Sequence, residues 1–172
     1  MPVYALGDHE PRIHVDAYIH PDATVIGNVE IGAESSVWPQ AVLRGDYGRI
    51  SIGARTSIQD GTVIHATQEL PTIIGDEVTV GHLAHLECCV VEDRSLVGSM
   101  SVVLHRAVVR TGALVGANAV VPNDMEVPSR SMALGVPAEI RPDSVPADAF
   151  EWNVITYVAN AKRYQGELRR LD

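Results

Sequence analysis

Aliphatic residues recur every six positions along most of the chain. A period of six fits neither an α-helix nor a long alternating strand, but it fits a short strand followed by a sharp corner. Three such units would close one triangular turn, and stacked turns would lie about 4.8 Å apart, the spacing of paired strands. A sandwich of short strands would not hold one register over so many units. The pattern therefore predicts a parallel β-helix of nearly six turns, built on Ile19, Val25, Ile31, Val37, Leu43, Ile52, Ile58, Ile64, Ile74, Val80, Leu86, Val91, Val97, Val103, Val109, Val115 and Val121.

The composition agrees with a narrow interior, because the chain has many Val and Ile residues but only one Phe and two Trp. Beyond Val121 the repeat gives way to a Pro-rich stretch and then to a helical pattern. We expect one domain over 1–172, with β-helix turns over about 12–127, an exit segment over 128–146 and a helix over 147–170. Apolar residues at helical spacing would form the packing stripe of that helix: Phe150, Val154, Tyr157, Ala161, Tyr164 and Leu168.

Length, charge and cysteine content argue against several classes of protein. A chain of 172 residues can bury a full core without disulfide bonds, and its net charge of −9 argues against nucleic acid or an anionic membrane as a partner. No apolar run approaches the roughly 18 residues of a membrane span, and the amino terminus does not resemble a signal peptide. The two cysteines, Cys88 and Cys89, are adjacent, which argues against a structural disulfide. We therefore expect a reducing, cytoplasmic location.

Three histidines and a glutamate cluster in the middle of the repeat. His65 directly follows the inward Ile64, and His82 lies two residues after Val80. His85 and Glu87 flank Leu86, so strand alternation places both on the outer surface. Imidazole and carboxylate groups suit Zn²⁺ or a similar divalent ion, although scattered surface histidines would give the same pattern. The remaining histidines are expected to be structural or solvated: His9, His14, His20 and His105.

A second polar group comes from the preceding turns. Arg44 and Gln59 each follow an inward aliphatic residue, as His65 does, and Asp46 and Asp60 lie next to them. An Arg–Asp pair at such a place could hold a subunit interface, or it could be ordinary surface polarity. Cys88 and Cys89 follow Glu87 and could ligate a metal as thiolates, or simply fill a corner.

Several segments together resemble the gamma-class carbonic anhydrase family, within the left-handed hexapeptide-repeat proteins. These segments are RGDYGRISIG, IQDGTVIH and TVGHLAHLECC, with further similarity in SSVWPQAVLRGD and in the ALGVPAEIRP exit. The resemblance implies a left-handed β-helix and a homotrimer with metal sites between subunits. The metal would be Zn²⁺, or another divalent ion such as Fe²⁺ or Co²⁺.

The resemblance also implies site residues. His65 and His82 match two of the three family histidines, but Glu87 stands at the third position, and His85 is an alternative third ligand. Gln59 resembles the residue that orients metal-bound hydroxide, and Tyr157 is the other candidate catalytic residue. Tyr47 and Gln68 stand where active members carry acidic proton-shuttle residues, and Ser57 replaces an asparagine.

The function implied is hydration of carbon dioxide to bicarbonate by metal-bound hydroxide at a trimer interface. A carboxylate ligand adds negative charge at the metal and should raise the pKa of bound water, so we expect a slow enzyme. One alternative is a non-catalytic, metal-binding trimer or assembly subunit. The other is an acyl- or acetyltransferase of the hexapeptide-repeat class, which the short insertion over 66–73 disfavours.

Overall fold

The structure, a computed structural model, describes residues 2–172 as a left-handed parallel β-helix of about 7 turns with one carboxyl-terminal helix. Met1 of the predicted 1–172 domain lies outside the described residues. Most strands have two or three residues, as a six-residue repeat requires. The elements are β1 (Val3–Tyr4), β2 (Arg12–Ile13), β3 (Tyr18–Ile19), β4 (Thr24–Ile31), β5 (Ser36–Val37), β6 (Val42–Ile52), β7 (Ser57–Ile58), β8 (Val63–His65), β9 (Thr72–Ile74), β10 (Thr79–Val80), β11 (His85–Glu87), β12 (Val90–Val91), β13 (Leu96–Val97), β14 (Val102–Val103), β15 (Val108–Val109), β16 (Leu114–Val115), β17 (Val120–Val121), β18 (Glu126–Val127), β19 (Met132–Leu134), β20 (Glu139–Arg141) and α1 (Glu151–Glu167).

From β7 onward, every third strand pairs in parallel, so the turns stack into three long sides. β7 pairs with β10 and β10 with β13, while β8 pairs with β11 and β11 with β14. The third side runs through β9, β12 and β15. β4 and β6 are longer because each continues round a corner, and they join the second and third sides into one sheet.

The predicted inward positions all lie in one core cluster, which confirms the repeat. The corners between strands also follow a pattern, because many corner residues have a positive φ although they are not glycine. Leu83, Cys88 and Arg106 are examples, with φ of 59°, 55° and 61°. Such a conformation costs about 1–2 kcal/mol for an L-residue. A hydrogen bond from most of these corner N–H groups to the preceding turn offsets part of this cost, as from Leu83 to the Asp60 carbonyl at 2.8 Å.

The β-helix extends further than the sequence predicts at both ends. β1 and β2 pair with β4, and β19 continues the stack on β16 although it lies in the predicted exit segment 128–146. Proline does not interrupt these turns because it lies at corners: the carbonyls of Pro122 and Pro128 accept the hydrogen bonds that close the turns, and the missing N–H is not needed there. β20 then folds back antiparallel on β19.

The helix is shorter than predicted, Glu151–Glu167 rather than 147–170, because the backbone is no longer helical at Phe150 and Leu168. It lies along the side formed by β3, β5 and β7, and Tyr157, Ala161 and Tyr164 of the expected packing stripe face that side, whereas Leu168 is 47% exposed. Its Val154 and Ala161 side chains are buried against the β-helix. Within residues 2–172, no helix combines the length and apolarity that a membrane span needs.

Aromatic residues, scarce elsewhere, fill the seam between the helix and the β-helix. The Tyr164 ring packs edge-on against Trp38 and Tyr18, with ring centroids 5.1 and 6.0 Å away. The Trp38 indole donates to the Ser36 and Ser57 hydroxyls at 2.9 and 3.0 Å. Ser57 therefore has a packing role, which explains its presence without any part in the candidate site.

Two adjacent isoleucines of β9 test the inward register. Ile74 is 1% exposed and Ile73 is 40% exposed. Ile74→Ala should lower the free energy of unfolding by about 2–5 kcal/mol, because it leaves a cavity in a core that cannot collapse. Ile73→Ala, the matched control, should cost less than about 1 kcal/mol. Urea unfolding at one protein concentration measures both, and equal losses would contradict the register.

Candidate metal centre

Outward side chains on neighbouring turns form a ladder at the end of one side of the β-helix. Arg44 pairs in register with His65, and His65 pairs with Glu87. Asp46 follows two residues after Arg44. We call Arg44, Asp46, His65 and Glu87 the ladder group. Because parallel pairing sets the distance between turns at about 4.8 Å, consecutive outward side chains can reach one another directly.

His65 lies between two carboxylates. Its Nδ1 is 2.8 Å from Glu87 Oε1, and its Nε2 is 2.9 Å from Asp46 Oδ1. Arg44 forms an ion pair with the other oxygen of Asp46. The His65 side chain is only 14% exposed, so these contacts are partly shielded from water. An imidazole held between two carboxylates marks a place that favours positive charge, either of an imidazolium or of a bound cation.

The carboxylates of the ladder group are held ionised. The hydrogen bond with His65 holds the pKa of Glu87 below its usual range against the effect of burial, and the charges of His65 and His105 add to this. Burial opposes ionisation of Asp46, but hydrogen bonds with His65 and Arg44 outweigh it and lower the pKa of Asp46. At neutral pH both groups are therefore available as anionic ligands or acceptors.

A second set, the corner group, lies at the other end of the same side and consists of Gln59, Asp60, His82 and Tyr157. His82 Nδ1 is 2.8 Å from Asp60 Oδ2, and about half of each side chain is exposed. Gln59 is buried. Burial and the Asp60 charge raise the pKa of Tyr157, while a hydrogen bond with Gln59 acts in the opposite direction. The two predicted catalytic residues, Gln59 and Tyr157, are thus neighbours.

The two groups flank the same strands. Gln59 and Asp60 precede β8, which ends at His65, and His82 precedes β11, which ends at Glu87. The ligand atoms of His65, His82 and Glu87 therefore do not gather within one chain. Among residues 2–172, only one set of three donors has ligand atoms that all lie within 4.8 Å of one another, and it contains neither His65 nor His82. The predicted ligand set stays a prediction.

That set consists of Glu87, Cys88 and His105. The second oxygen of Glu87, Oε2, is 3.6 Å from His105 Nε2 and 3.5 Å from His85 Nε2. Sequence analysis predicts a structural or solvated role for His105 and misses this contact. The signal was available in the register: Leu86 pairs with Val103, so the residues two places further on, Cys88 and His105, follow in neighbouring turns.

The donor types here fit a divalent transition metal. Carboxylate, imidazole and thiolate are the zinc ligands found in proteins. His85, the alternative third ligand, lies next to this set because its Nε2 is 3.5 Å from Glu87 Oε2. The predicted shuttle positions give less support. Tyr47 is 71% exposed and Gln68 is also exposed, so neither is held against His65.

Arg44 and Asp60 do not pair with each other within the chain. Arg44 binds Asp46, and Asp60 binds His82. The Arg44–Asp46 pair lies within the ladder group and the Asp60–His82 pair lies within the corner group, so neither pair joins the two ends of the side. Their predicted interface role stays a prediction.

Comparison with known proteins places the chain in a family. No family model matches it. Gamma carbonic anhydrase 2, mitochondrial, of Arabidopsis thaliana is 42% identical over 138 residues, covering 77% of this chain and 50% of the relative. The chain thus spans about half the length of the plant relatives it matches. The carnitine operon protein CaiE of Proteus sp. is 36% identical over 165 residues, covering 96% of this chain and 81% of the relative.

Solved structures agree with this assignment. A Bacillus cereus protein assigned provisionally as an acetyltransferase has a TM-score of 0.93 and 32% identity, covering 96% of this chain and 98% of that one. A hexapeptide transferase family protein from Anaplasma phagocytophilum has a TM-score of 0.90 and 31% identity, with 95% and 98% covered. With its solenoid, its ladder of outward polar residues and these relatives, the chain belongs to the gamma-carbonic-anhydrase-like family of hexapeptide-repeat proteins.

Proposed function

We propose that the chain forms a homotrimer that binds a divalent metal, Zn²⁺ in the first instance, between subunits and hydrates carbon dioxide slowly. One observation carries the proposal: the predicted ligands divide between opposite ends of one side of the β-helix. His65 and Glu87 lie at one end and His82 at the other. Neither end is a complete three-ligand site, and the two ends are complementary.

A ring of subunits would bring the two ends together. An interface that joins one patch to a different patch is heterologous, and it closes into a cyclic oligomer when the rotation fits. The side between the two groups carries exposed apolar residues, Val63, Leu83 and Met100, which are 38%, 56% and 54% exposed. Exposed apolar residues grouped in this way support an interface along β8, β11 and β14.

The chain's own residues have defined tasks in this proposal. A divalent ion, when bound, would supply a nucleophile at neutral pH by lowering the pKa of a water molecule that it holds. Asp46 accepts a hydrogen bond from one nitrogen of His65 and so orients the ring, and Arg44 fixes Asp46 in turn. Gln59 is buried beside Tyr157, whose phenol is protonated at neutral pH and can donate a hydrogen bond.

Glu87 is the reason to expect slow catalysis. A carboxylate in place of an imidazole lowers the net positive charge at the metal, which weakens its effect on bound water. The exposed Tyr47 also offers no carboxylate for proton transfer. If these two substitutions abolish the reaction altogether, the protein would be a non-catalytic, metal-binding trimer.

Acyl transfer is a second candidate function, because a solved structure 32% identical to the chain is assigned provisionally as an acetyltransferase. The imidazole–carboxylate pairing of the ladder group favours a metal site instead. The segment between β8 and β9 is short, so it offers little surface for an acyl acceptor. The free, buried Cys88 and Cys89 are in keeping with a reducing compartment, and we propose the cytoplasm.

Mixing of inactive subunits tests the shared site. His65→Ala and His82→Ala should each abolish interface zinc and hydration activity in a homotrimer. Co-expression of the two variants should restore about a quarter of the sites, because that fraction of interfaces in randomly mixed rings pairs an intact His65 with an intact His82. Metal analysis and a carbon dioxide hydration assay on trimers verified by sedimentation measure this.

A mixture that stays as inactive as its parents would contradict a site shared between subunits. A mixture of His65→Ala with Glu87→Ala is the matched control. Both variants damage the same end of the side, so no combination of them completes a site.

Glu87→His tests the origin of the slow rate. The change removes one negative charge at the metal and supplies a third nitrogen, so hydration at neutral pH should rise at least tenfold while zinc stays bound. Glu87→Gln is the control, because it removes the charge without supplying a good ligand and should lose zinc. Full zinc binding by Glu87→His with no gain in hydration would favour the non-catalytic trimer.

A further inference from the structure

We propose that Glu87, Cys88 and His105 bind a second divalent cation within a single subunit. Their ligand atoms all lie within 4.8 Å of one another. His105 Nε2 is 3.6 Å from Glu87 Oε2. In a tetrahedral zinc site with bonds of about 2.0–2.3 Å, two ligand atoms are about 3.3–3.8 Å apart. This pair already has that separation, and the Cys88 sulfur lies within 4.8 Å of a ligand atom of each residue.

The β-helix register places the three residues together. Glu87 is the last residue of β11, and Cys88 is the corner residue after it, with a φ of 55°. Hydrogen bonds hold that corner on both sides. The Cys88 N–H donates to Thr72 Oγ1 at 2.7 Å, and the Cys88 carbonyl accepts from the Arg106 N–H at 2.7 Å. His105 precedes Arg106, so the same bond fixes the turn that carries the imidazole.

Polar groups surround the Cys88 sulfur, which donates a hydrogen bond to Thr67 Oγ1 at 3.5 Å. The Thr67 backbone N–H donates to Sγ at 3.4 Å. The Asp124 carboxylate raises the pKa of the Arg106 guanidinium, and the Cys88 sulfur adds to this, so a positive charge lies near the sulfur.

The adjacent cysteine provides the contrast. Cys89 belongs to the apolar core cluster, and burial raises its pKa to about 12. Cys89 is not part of the set of donors whose ligand atoms lie within 4.8 Å of one another. The two neighbouring cysteines therefore differ in their capacity to bind a metal, and only Cys88 is placed to do so.

This second site does not depend on the interface site. It uses Oε2 of Glu87, whereas Oε1 faces His65, and it needs no residue of another subunit. One carboxylate can thus serve both sites. The side chain of His105 is 35% exposed, which leaves a path for the ion and an open position for water. A thiolate with an imidazole and a carboxylate selects Zn²⁺ or Co²⁺ over Mg²⁺ or Ca²⁺.

Cobalt reports thiolate ligation directly, because a sulfur–cobalt bond gives an intense charge-transfer band in the near ultraviolet. The full-length protein, reduced and freed of metals with a chelator, is titrated with Co²⁺. We expect the band in the unmodified protein and in Cys89→Ser, and its loss in Cys88→Ser. His105→Ala should weaken cobalt binding at the thiolate by more than about tenfold, since even outer-shell changes cost 10–100-fold.

Two further variants make the result decisive. Cys88→Gly removes the thiol from a corner whose positive φ suits glycine, so it should fold normally and still lack the band. His82→Ala breaks the interface site and should keep the band, so failure of the interface proposal is distinguishable from failure of this one. A band that survives in Cys88→Ser or Cys88→Gly, or that disappears in His82→Ala, would overturn the intrachain site.

Discussion

Parallel pairing between successive turns is the constraint on which the rest of the structure depends. It fixes the distance between turns and keeps each aliphatic repeat position above the one before it. The same register that stacks Leu43, Ile64 and Leu86 in the core also stacks Arg44, His65 and Glu87 on the outside. Core and candidate site are therefore two faces of one arrangement, and a shift of one residue in any turn would exchange them.

The ladder group forms a chain of charged and polar contacts on the outer surface. Arg44, Asp46, His65 and Glu87 contact one another in sequence, so each side chain restricts the next. The β-helix backbone fixes the order of these side chains, although they lie on the outer surface. The corner group at the other end of the side is separated from the ladder group by the length of a strand, and the proposed trimer would bring the two groups together.

The sequence predicts the fold well because the six-residue repeat has one structural explanation. Every repeat position from Ile19 to Val121 lies in the core. The ends are harder to predict. β19 sits among prolines that would be read as irregular chain, and the pattern does not show that these prolines occupy corners. The helix boundaries differ because an apolar stripe does not say where backbone hydrogen bonding stops.

The candidate site is predicted only in part. Outward positions such as His65 and Glu87 follow from strand alternation, and the structure places them side by side. The approach of His105 to Glu87 follows from the pairing of Leu86 with Val103 between turns, which strand alternation within one turn does not give. Ser57 resembles a site position by alignment, yet its hydroxyl accepts a hydrogen bond from Trp38. In both cases, contacts between neighbouring turns set the role of the residue.

The central claim is that His65 and Glu87 of one subunit share a metal with His82 of the next. Crystals of the protein grown with zinc, with diffraction data collected on both sides of the zinc absorption edge, test this most directly. The account predicts an anomalous peak between the ladder group of one subunit and the corner group of its neighbour in a three-fold ring. A zinc-loaded crystal with no peak there, or with His82 of every subunit facing solvent, would contradict it.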